Sequence, residues 1–349
     1  MTTTALVVLL ASVAALVAVV AVPKEAEASF PGKNGLIAFP GQTSDGSEEI
    51  FTSLLDGSSL KQRTNAVGNS TQPKWSPDGT KIAFTSNRDG HDYEIYVKDI
   101  TTGKVSQLTD NFEDPRGFAP EIQDVAPVWS PDGTKIAFAR TFPVEEFPGW
   151  SIMLLDADGS NERRLTNGNS DFPEAWSPDG TRIAFLRDPF SDDPSSDIWV
   201  MHPDGSEQRN LTNTPVPTEE GVDWKPNGRK MTYHRDGDIW KMSPDGTGKD
   251  RLSFSPYWED APIWSPDGRM IIFSRLGVEG EIVIQMDVDG TNKREVPGLP
   301  TTFRADRQSI TNPEALSIAK EGADEGLRRP ASPDPTLAPQ SPNRIEAGF

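Results

Sequence analysis

The sequence predicts an all-β fold, a six-bladed β-propeller of four-stranded antiparallel blades, and three observations support this prediction. Glycine and proline occur 29 and 31 times in 349 residues, which favours many short strands joined by turns. A Trp-Ser-Pro-Asp-Gly string, once as Trp-Lys-Pro-Asn-Gly, recurs five times with a mean spacing of about 47 residues. Two short apolar runs and an Asp-Gly or Thr-Gly turn follow every copy.

Each repeat contains four strands, which we name A to D in chain order. The tryptophan ends strand A, and Ser-Pro-Asp-Gly forms the turn to strand B, because proline presets φ and glycine adopts the left-handed conformation. A large aromatic side chain at this place suits the space between neighbouring blades. The predicted blade-core residues are Trp75, Trp129, Trp176, Trp224 and Trp264.

The first repeat is incomplete at its start. Residues 35–39, 49–51 and 60–64 supply its strands B, C and D, but no tryptophan-bearing strand A precedes them. We expect residues 299–307 to return as the missing strand, because this C-terminal strand would complete the first blade and cover an exposed sheet edge. Residues 29–307 are therefore predicted to form one propeller domain.

Both ends of the chain differ from the repeats. Residues 5–22 are apolar and precede an Ala-Glu-Ala string, so residues 1–28 are predicted to be a signal peptide or, if uncleaved, a membrane anchor. Either outcome exports the rest of the chain, and we expect a secreted, periplasmic or cell-envelope protein. Residues 308–349 are rich in proline and are predicted to form a disordered tail.

Charge and cysteine content restrict the possible functions. The chain has 34 Lys and Arg residues against 53 Asp and Glu residues, which gives a net charge of −19. This balance excludes a general nucleic-acid binder, because nucleic acids require clustered basic residues, and it leaves only the N-terminal segment for membrane contact. The absence of cysteine excludes disulfides, thiolate metal sites and cysteine nucleophiles.

These repeats resemble the TolB-type β-propeller family, whose WD40-like repeat (PD40) carries the Trp-Ser-Pro-Asp-Gly string. The resemblance extends over about 270 residues, and it implies a periplasmic adaptor. In TolB an α/β domain precedes the propeller. Because only residues 29–34 lie between the expected cleavage site and the first strand, we expect this chain to lack that domain. Similar propellers also cover the hydrolase domain of prolyl-oligopeptidase-type enzymes, but the sequence contains no Gly-x-Ser-x-Gly string.

Long connections indicate where a partner binds. The A–B and C–D turns lie on one rim of a propeller, whereas the B–C and D–A connections lie on the other, which we call the long-loop rim. Variable loops on a rigid scaffold are common binding sites, and several here place aromatic residues beside acids. Such side chains either contact a partner or pack the loops onto the blades. The predicted partner-binding residues are Phe112, Phe118, Phe142, Glu145, Glu146, Phe147, Trp150 and Phe190.

Arginines and acids recur at fixed places in the repeats. An arginine follows strand B in each complete repeat, and an acid lies five residues before the tryptophan in four of five, with Ser70 as the exception. They form either a ring that grips a polar ligand or ion pairs that tie the blades, and recurrence in every blade favours ion pairs. The residues, expected near the channel mouth, are Arg88, Arg140, Arg187, Arg235, Arg275, Asp124, Asp171, Glu219 and Glu259.

The sequence contains little catalytic chemistry. His91, His202 and His234 lie in different parts of the repeats, so a three-histidine metal site is not expected. We therefore predict no catalytic residue, cofactor or bound metal, and a monomer that binds a protein or another macromolecule, either cationic or polysaccharide, through the long-loop rim. Two alternatives stay open: a lactonase- or lyase-like propeller enzyme with a metal in the channel, and a carbohydrate-binding module.

Overall fold

Six four-stranded sheets make up the protein. The computed structural model describes residues 33–111, 122–142, 149–167, 170–187, 196–214, 219–277, 280–297 and 306–310. Within these ranges the chain forms 24 β-strands arranged in six sheets, which confirms the predicted six-bladed all-β propeller. In the same part of the chain no helix has the length and apolar character needed to cross a membrane. The predicted signal peptide lies outside the described residues.

Each sheet is one blade, and its strands follow one another antiparallel. Blade 1 contains β1 (Lys33–Gln42), β2 (Glu48–Ser53) and β3 (Lys61–Gln62). Blade 2 contains β4 (Ser70–Trp75), β5 (Lys81–Ser86), β6 (Glu94–Asp99) and β7 (Val105–Gln107), and blade 3 contains β8 (Asp124–Trp129), β9 (Lys135–Phe142), β10 (Gly149–Asp156) and β11 (Arg163–Arg164).

The second half of the chain repeats the same order. Blade 4 contains β12 (Asp171–Trp176), β13 (Ile183–Arg187), β14 (Asp197–Met201) and β15 (Arg209–Asn210). Blade 5 contains β16 (Glu219–Trp224), β17 (Met231–Arg235), β18 (Asp238–Met242) and β19 (Asp250–Arg251). Blade 6 contains β20 (Glu259–Trp264), β21 (Met270–Gly277), β22 (Gly280–Asp287) and β23 (Arg294–Glu295), and β24 (Asp306–Ile310) follows it in the chain.

A C-terminal strand supplies the fourth strand of blade 1. β24 pairs antiparallel with β1, and Lys33 lies opposite Ile310. The strand overlaps residues 299–307, the stretch expected at this place, by only two residues and continues to Ile310. The sheet therefore extends three residues beyond the predicted end of the propeller, and the rest of the predicted tail, 311–349, lies outside the described residues.

The Ser-Pro-Asp-Gly turns are held by the same hydrogen bonds in successive blades. In blade 2 the Ser76 hydroxyl donates to the Asp78 carboxylate at 2.6 Å and accepts the backbone N–H of Lys81 at 2.9 Å. The corresponding serine in blades 3, 4 and 6 makes both bonds. One short string thus fixes the angle between strands A and B wherever it occurs.

Apolar side chains fill the spaces between blades. The five predicted tryptophans are all buried, with between 0 and 6% of their surface exposed. Trp75 of blade 2, for example, belongs to one cluster with Leu36 and Ile50 of blade 1. At the sixth junction, Phe39 of blade 1 clusters with Ile263 and Ile272 of blade 6. The ring is therefore closed by hydrophobic contact as well as by strand pairing.

Candidate functional site

Two of the predicted partner-binding residues lie in the described part of the chain. Phe142 and Trp150 are half-buried. The Trp150 ring lies 5.0 Å from the Phe172 ring, and the Arg164 guanidinium lies 3.9 Å from the centre of the Phe142 ring. Phe142 thus contacts its own blade, whereas Trp150 of blade 3 contacts blade 4. The remaining candidates lie outside the described residues: Phe112, Phe118, Glu145, Glu146, Phe147 and Phe190.

The predicted arginine–acid pairs meet inside blades 3 to 6. The Arg140 Nε donates to the Asp124 carboxylate at 2.7 Å, and Nη2 donates to its second oxygen at 2.7 Å. Arg187 makes the same two-pronged contact with Asp171 at 2.7 and 2.9 Å. In all four pairs the acid side chain has no exposed surface. Such desolvated pairs hold strands A and B in register.

The ion pairs of blades 5 and 6 differ in the distance between their charged atoms. In blade 6 the Arg275 Nε lies 2.9 Å from Glu259, whereas in blade 5 the Arg235 Nη1 lies 3.6 Å from Glu219. Burial raises the pKa of Glu219 above its ordinary value. Among blades 3 to 6, blade 5 therefore has the longest distance between the arginine and the acid.

Blade 2 reaches a similar arrangement with different residues. Ser70 and Ser86 stand opposite each other where the other blades place the acid and the arginine. Arg88, two residues further along, returns its guanidinium to both hydroxyls at 3.0 and 3.1 Å and lies 4.7 Å from the Phe84 ring centre. None of the nine predicted residues lines the central cavity. The structure places them within the blades rather than on the channel wall.

A buried carboxyl pair lies at the junction of blades 2 and 3. Glu94 and Asp124 share Asn111, whose Nδ2 donates to Asp124 at 2.7 Å, and the Thr109 hydroxyl donates to Glu94. Burial, together with the negative charge of Asp124, raises the pKa of Glu94 to about 8. Glu94 therefore binds its proton more tightly than a solvent-exposed glutamate does. Since only 1% of its surface is exposed, it is closed to a ligand.

The central channel contains a cavity of about 360 Å³, lined by the strand A residues of blades 2 to 6. In each of these strands a β-bulge shifts the register with strand B. In four of the five strands, a residue of left-handed φ stands at the bulge. The lining carries one lysine and four carboxylates, so the channel is acidic; these residues are Lys74, Glu174, Glu220, Asp223 and Asp260.

Three polar side chains converge at the blade 5–6 side of this channel. Glu220, His234 and Asp260 each place one possible ligand atom within 4.8 Å of the others. The imidazole is 2% exposed, and its Nδ1 lies 3.6 Å from Asp260 Oδ1 without a hydrogen bond. Its Nε2 accepts the backbone N–H of Gly237 at 3.0 Å. Because Nε2 uses its lone pair there, the proton of the neutral ring lies on Nδ1 and faces the carboxylates.

A tight turn in blade 5 produces this arrangement. β17 and β18 are joined by only Asp236 and Gly237, whose φ values are 53° and 74°, as in a type I′ hairpin. This turn directs the Gly237 N–H at His234. Sequence reasoning placed His234 at the end of strand B but missed its two carboxylate neighbours. The available signal was a pair of consecutive acids at the start of strand A, present only in the repeats of blades 5 and 6.

An exposed apolar surface adjoins the cluster. Six large apolar side chains of the described residues are exposed, and four of them lie between blades 5 and 6 on the long-loop rim. We call these four the blade 5–6 patch: Phe254, Tyr257, Trp258 and Leu276, which are 73, 43, 53 and 58% exposed. The Trp258 ring lies 4.9 Å from His234, and the Leu276 N–H donates to the Trp258 carbonyl at 2.8 Å. Sequence reasoning missed this patch because it considered the longer connections.

Comparison with known proteins identifies a family with this architecture. The chain matches the TolB beta propeller domain (PD40) over residues 94–308. It is 31% identical over 123 residues to the TolB homolog of Chlorobaculum tepidum, a match that covers 35% of this chain and 25% of that protein. It is 32% identical over 126 residues to the Tol-Pal system protein TolB of Desulfosudis oleivorans, a match that covers 36% of this chain and 25% of that protein.

The chain thus spans about a quarter of the length of these curated relatives. A solved structure, TolB from Acinetobacter baumannii, superimposes with a TM-score of 0.64 at 21% identity and covers 80% of this chain and 68% of that one. At this identity the structural likeness establishes the fold, whereas the family match extends over more than half of the chain. The protein belongs to the TolB beta propeller domain family.

Proposed function

We propose that this chain is a non-catalytic binding scaffold that recognises a protein or another macromolecule outside the cytoplasm through its long-loop rim. The observation that carries the proposal is the blade 5–6 patch, which groups four exposed apolar side chains on this rim. Grouped exposed apolar residues, especially aromatic ones, are typical of protein interfaces. Family membership supports the same function, since one relative is named a Tol-Pal system protein.

The geometry of the channel favours a scaffold over a metal enzyme. Among the described residues one group of three histidine or acidic side chains has the spacing of a metal site, namely Glu220, His234 and Asp260. The histidine would have to release the Gly237 N–H before its Nδ1 lone pair could reach a metal. Metal analysis of the purified protein tests this alternative, and stoichiometric metal that depends on His234 would support it.

The proposed location rests on the N-terminal sequence. Residues 5–22 have the composition of an export signal, and the acidic propeller that follows has no cysteine. N-terminal sequencing of the protein recovered from the cell envelope or medium tests this part. A mature chain that begins at Ser29 is the expected result, whereas an intact chain in the cytoplasm would contradict the proposal.

Site-directed blocking of each rim tests the binding function. Because the chain has no native cysteine, one introduced cysteine can carry a bulky polyethylene glycol at a chosen place. Val67→Cys lies on the long-loop rim, where Val67 is 83% exposed, and Thr102→Cys lies in an exposed C–D turn on the opposite rim. We expect the modified Val67→Cys protein to lose envelope partners in pull-downs, while the modified Thr102→Cys protein retains them. The reverse pattern would reject the long-loop rim.

A further inference from the structure

We propose that the junction of blades 5 and 6 binds a basic segment of a partner protein. A lysine or arginine side chain of that segment enters the channel mouth beside Glu220 and Asp260, and its apolar neighbours rest on the blade 5–6 patch. This inference rests on the proposed function and deepens it, because it names the chemistry of the partner and its place on the rim.

Charge is the first reason. Four carboxylates and one lysine line the channel, and Glu220 and Asp260 lie together at its blade 5–6 side. The whole chain carries a net charge of −19, so its long-range field attracts a cationic partner. This site binds a cation favourably, because two carboxylates attract it within a partly enclosed space.

The tautomer of His234 indicates which kind of cation fits this site. Its Nδ1–H is a buried donor that faces the carboxylates, and it makes no hydrogen bond in the free protein. A metal ion would need this nitrogen as an acceptor, whereas an ammonium or guanidinium group needs only the carboxylate oxygens. Glu220 and Asp260 can accept several N–H bonds from one such group while the histidine proton stays in place.

The blade 5–6 patch supplies the apolar part of the site. Blades 5 and 6 have short B–C connections, and among the described residues Phe254, Tyr257 and Trp258 stand exposed beside them. Trp258 is held against His234 at 4.9 Å, which keeps the indole next to the acidic cluster while half of its surface faces solvent. Tryptophan is among the residues enriched at binding hot spots. The ligand is therefore a peptide segment with a basic residue and apolar neighbours rather than a free cation.

Phage display with the full mature protein tests the proposal. Short random peptides are selected on the wild-type protein, and the affinity of the enriched peptides is measured by fluorescence anisotropy. We expect a lysine or arginine beside an apolar residue in these peptides, and we expect affinity to fall at least about tenfold when that residue is replaced by norleucine. Binding should also weaken between about 50 and about 500 mM NaCl.

Protein variants locate the peptide on the surface. Glu220→Gln with Asp260→Asn, and separately Trp258→Ala, should each reduce affinity by about tenfold or more. Two controls are matched to them: Glu174→Gln removes a charge from another wall of the same channel, and Val67→Ala truncates an exposed apolar residue on the same rim. Both should change affinity by less than about threefold. Thermal unfolding of each variant confirms that it is folded.

Several results would overturn the inference. These are a selection that yields no peptide, enriched peptides without a basic residue, or equal binding to the Glu220/Asp260 variant and the wild type. Binding that disappears on adding a chelator would assign the site to a divalent metal ion instead. If polyethylene glycol at Val67→Cys still blocks envelope partners in any of these cases, the rim-binding function survives and only the blade 5–6 site fails.

Discussion

Replacing Gly246 with alanine tests how tightly the blades are joined. Gly246 occupies the turn between strands C and D of blade 5 with a φ of +83°. A Cβ atom at this position would lie 2.6 Å from the carbonyl oxygen of Leu211 in blade 4. That oxygen also accepts a hydrogen bond from the Lys249 Nζ at 3.1 Å. The turn must therefore move away from blade 4, and this movement disturbs the junction between the two blades.

The expected loss of stability has two parts. The left-handed conformation costs an alanine about 1–2 kcal/mol. Displacing the turn weakens the Lys249 bond and the interblade packing, which costs about 1–2 kcal/mol more. We therefore expect Gly246→Ala to lower the free energy of unfolding by about 2–4 kcal/mol. Gly205 and Gly290 repeat the geometry against Leu165 and Leu252, so the contact is a general feature of the ring.

Gly46→Ala is the matched control. Gly46 has a φ of +87°, but no atom lies within 4 Å of the position that a Cβ would occupy. This variant carries only the conformational cost, about 1–2 kcal/mol. Urea unfolding of both variants, followed by tryptophan fluorescence, measures the difference. Equal losses at the two positions would refute the interblade contact as the source of the additional destabilisation.

Three further predictions concern charge and processing. Burial beside Asp124 raises the pKa of Glu94 from 4.5 to about 8, so the folded state binds this proton more tightly and stability is lost as pH rises through that value. Between about pH 5 and about pH 9 the free energy of urea unfolding should decrease less for Glu94→Gln than for the wild type. Asp171→Asn removes the carboxylate partner of Arg187 and should cost about 3 kcal/mol in urea unfolding, whereas Asp156→Asn, at a more exposed pair, should cost clearly less. Mass spectrometry of exported protein should find residues 1–28 removed; retention of that segment would identify an anchor.

The fold could be predicted because its signals are local. The Ser-Pro-Asp-Gly hydrogen bonds join residues two and five positions apart, as from Ser76 to Asp78 and to Lys81, so the turn is specified by its own string. The tryptophan then recurs at the length of one blade. The returning strand is less precise, because β24 and β1 are joined from opposite ends of the chain and residues 299–310 carry no repeat motif.

The site could be predicted only in part. The arginine–acid pairs follow from antiparallel register, since Asp171 and Arg187 are opposite each other across one hairpin. Strict alternation of side chains along strand A does not predict that these pairs lie away from the channel wall. The bulges after Thr71, Val125 and the equivalent residues rotate the chain, so that residues at the bulge and beyond it form the channel wall. A bulge leaves no fixed signature in composition when non-glycine residues such as Gln72 and Ala126 adopt positive φ.

The contrast between repeated and unrepeated residues separates structure from binding in this ring. Repeated residues meet partners within the chain: the Ser76 hydroxyl bonds to its own turn, and Arg187 bonds to Asp171. Glu220, Asp260 and Trp258 depart from the repeat and leave charge or apolar surface facing solvent or the channel. The blade fold does not require an acid where Glu220 and Asp260 stand, because blades 3 and 4 are built with Val125 and Phe172 at the corresponding strand A position. Glu220 and Asp260 bring two carboxylates together at the channel, and a basic group from another protein balances their charge when it binds.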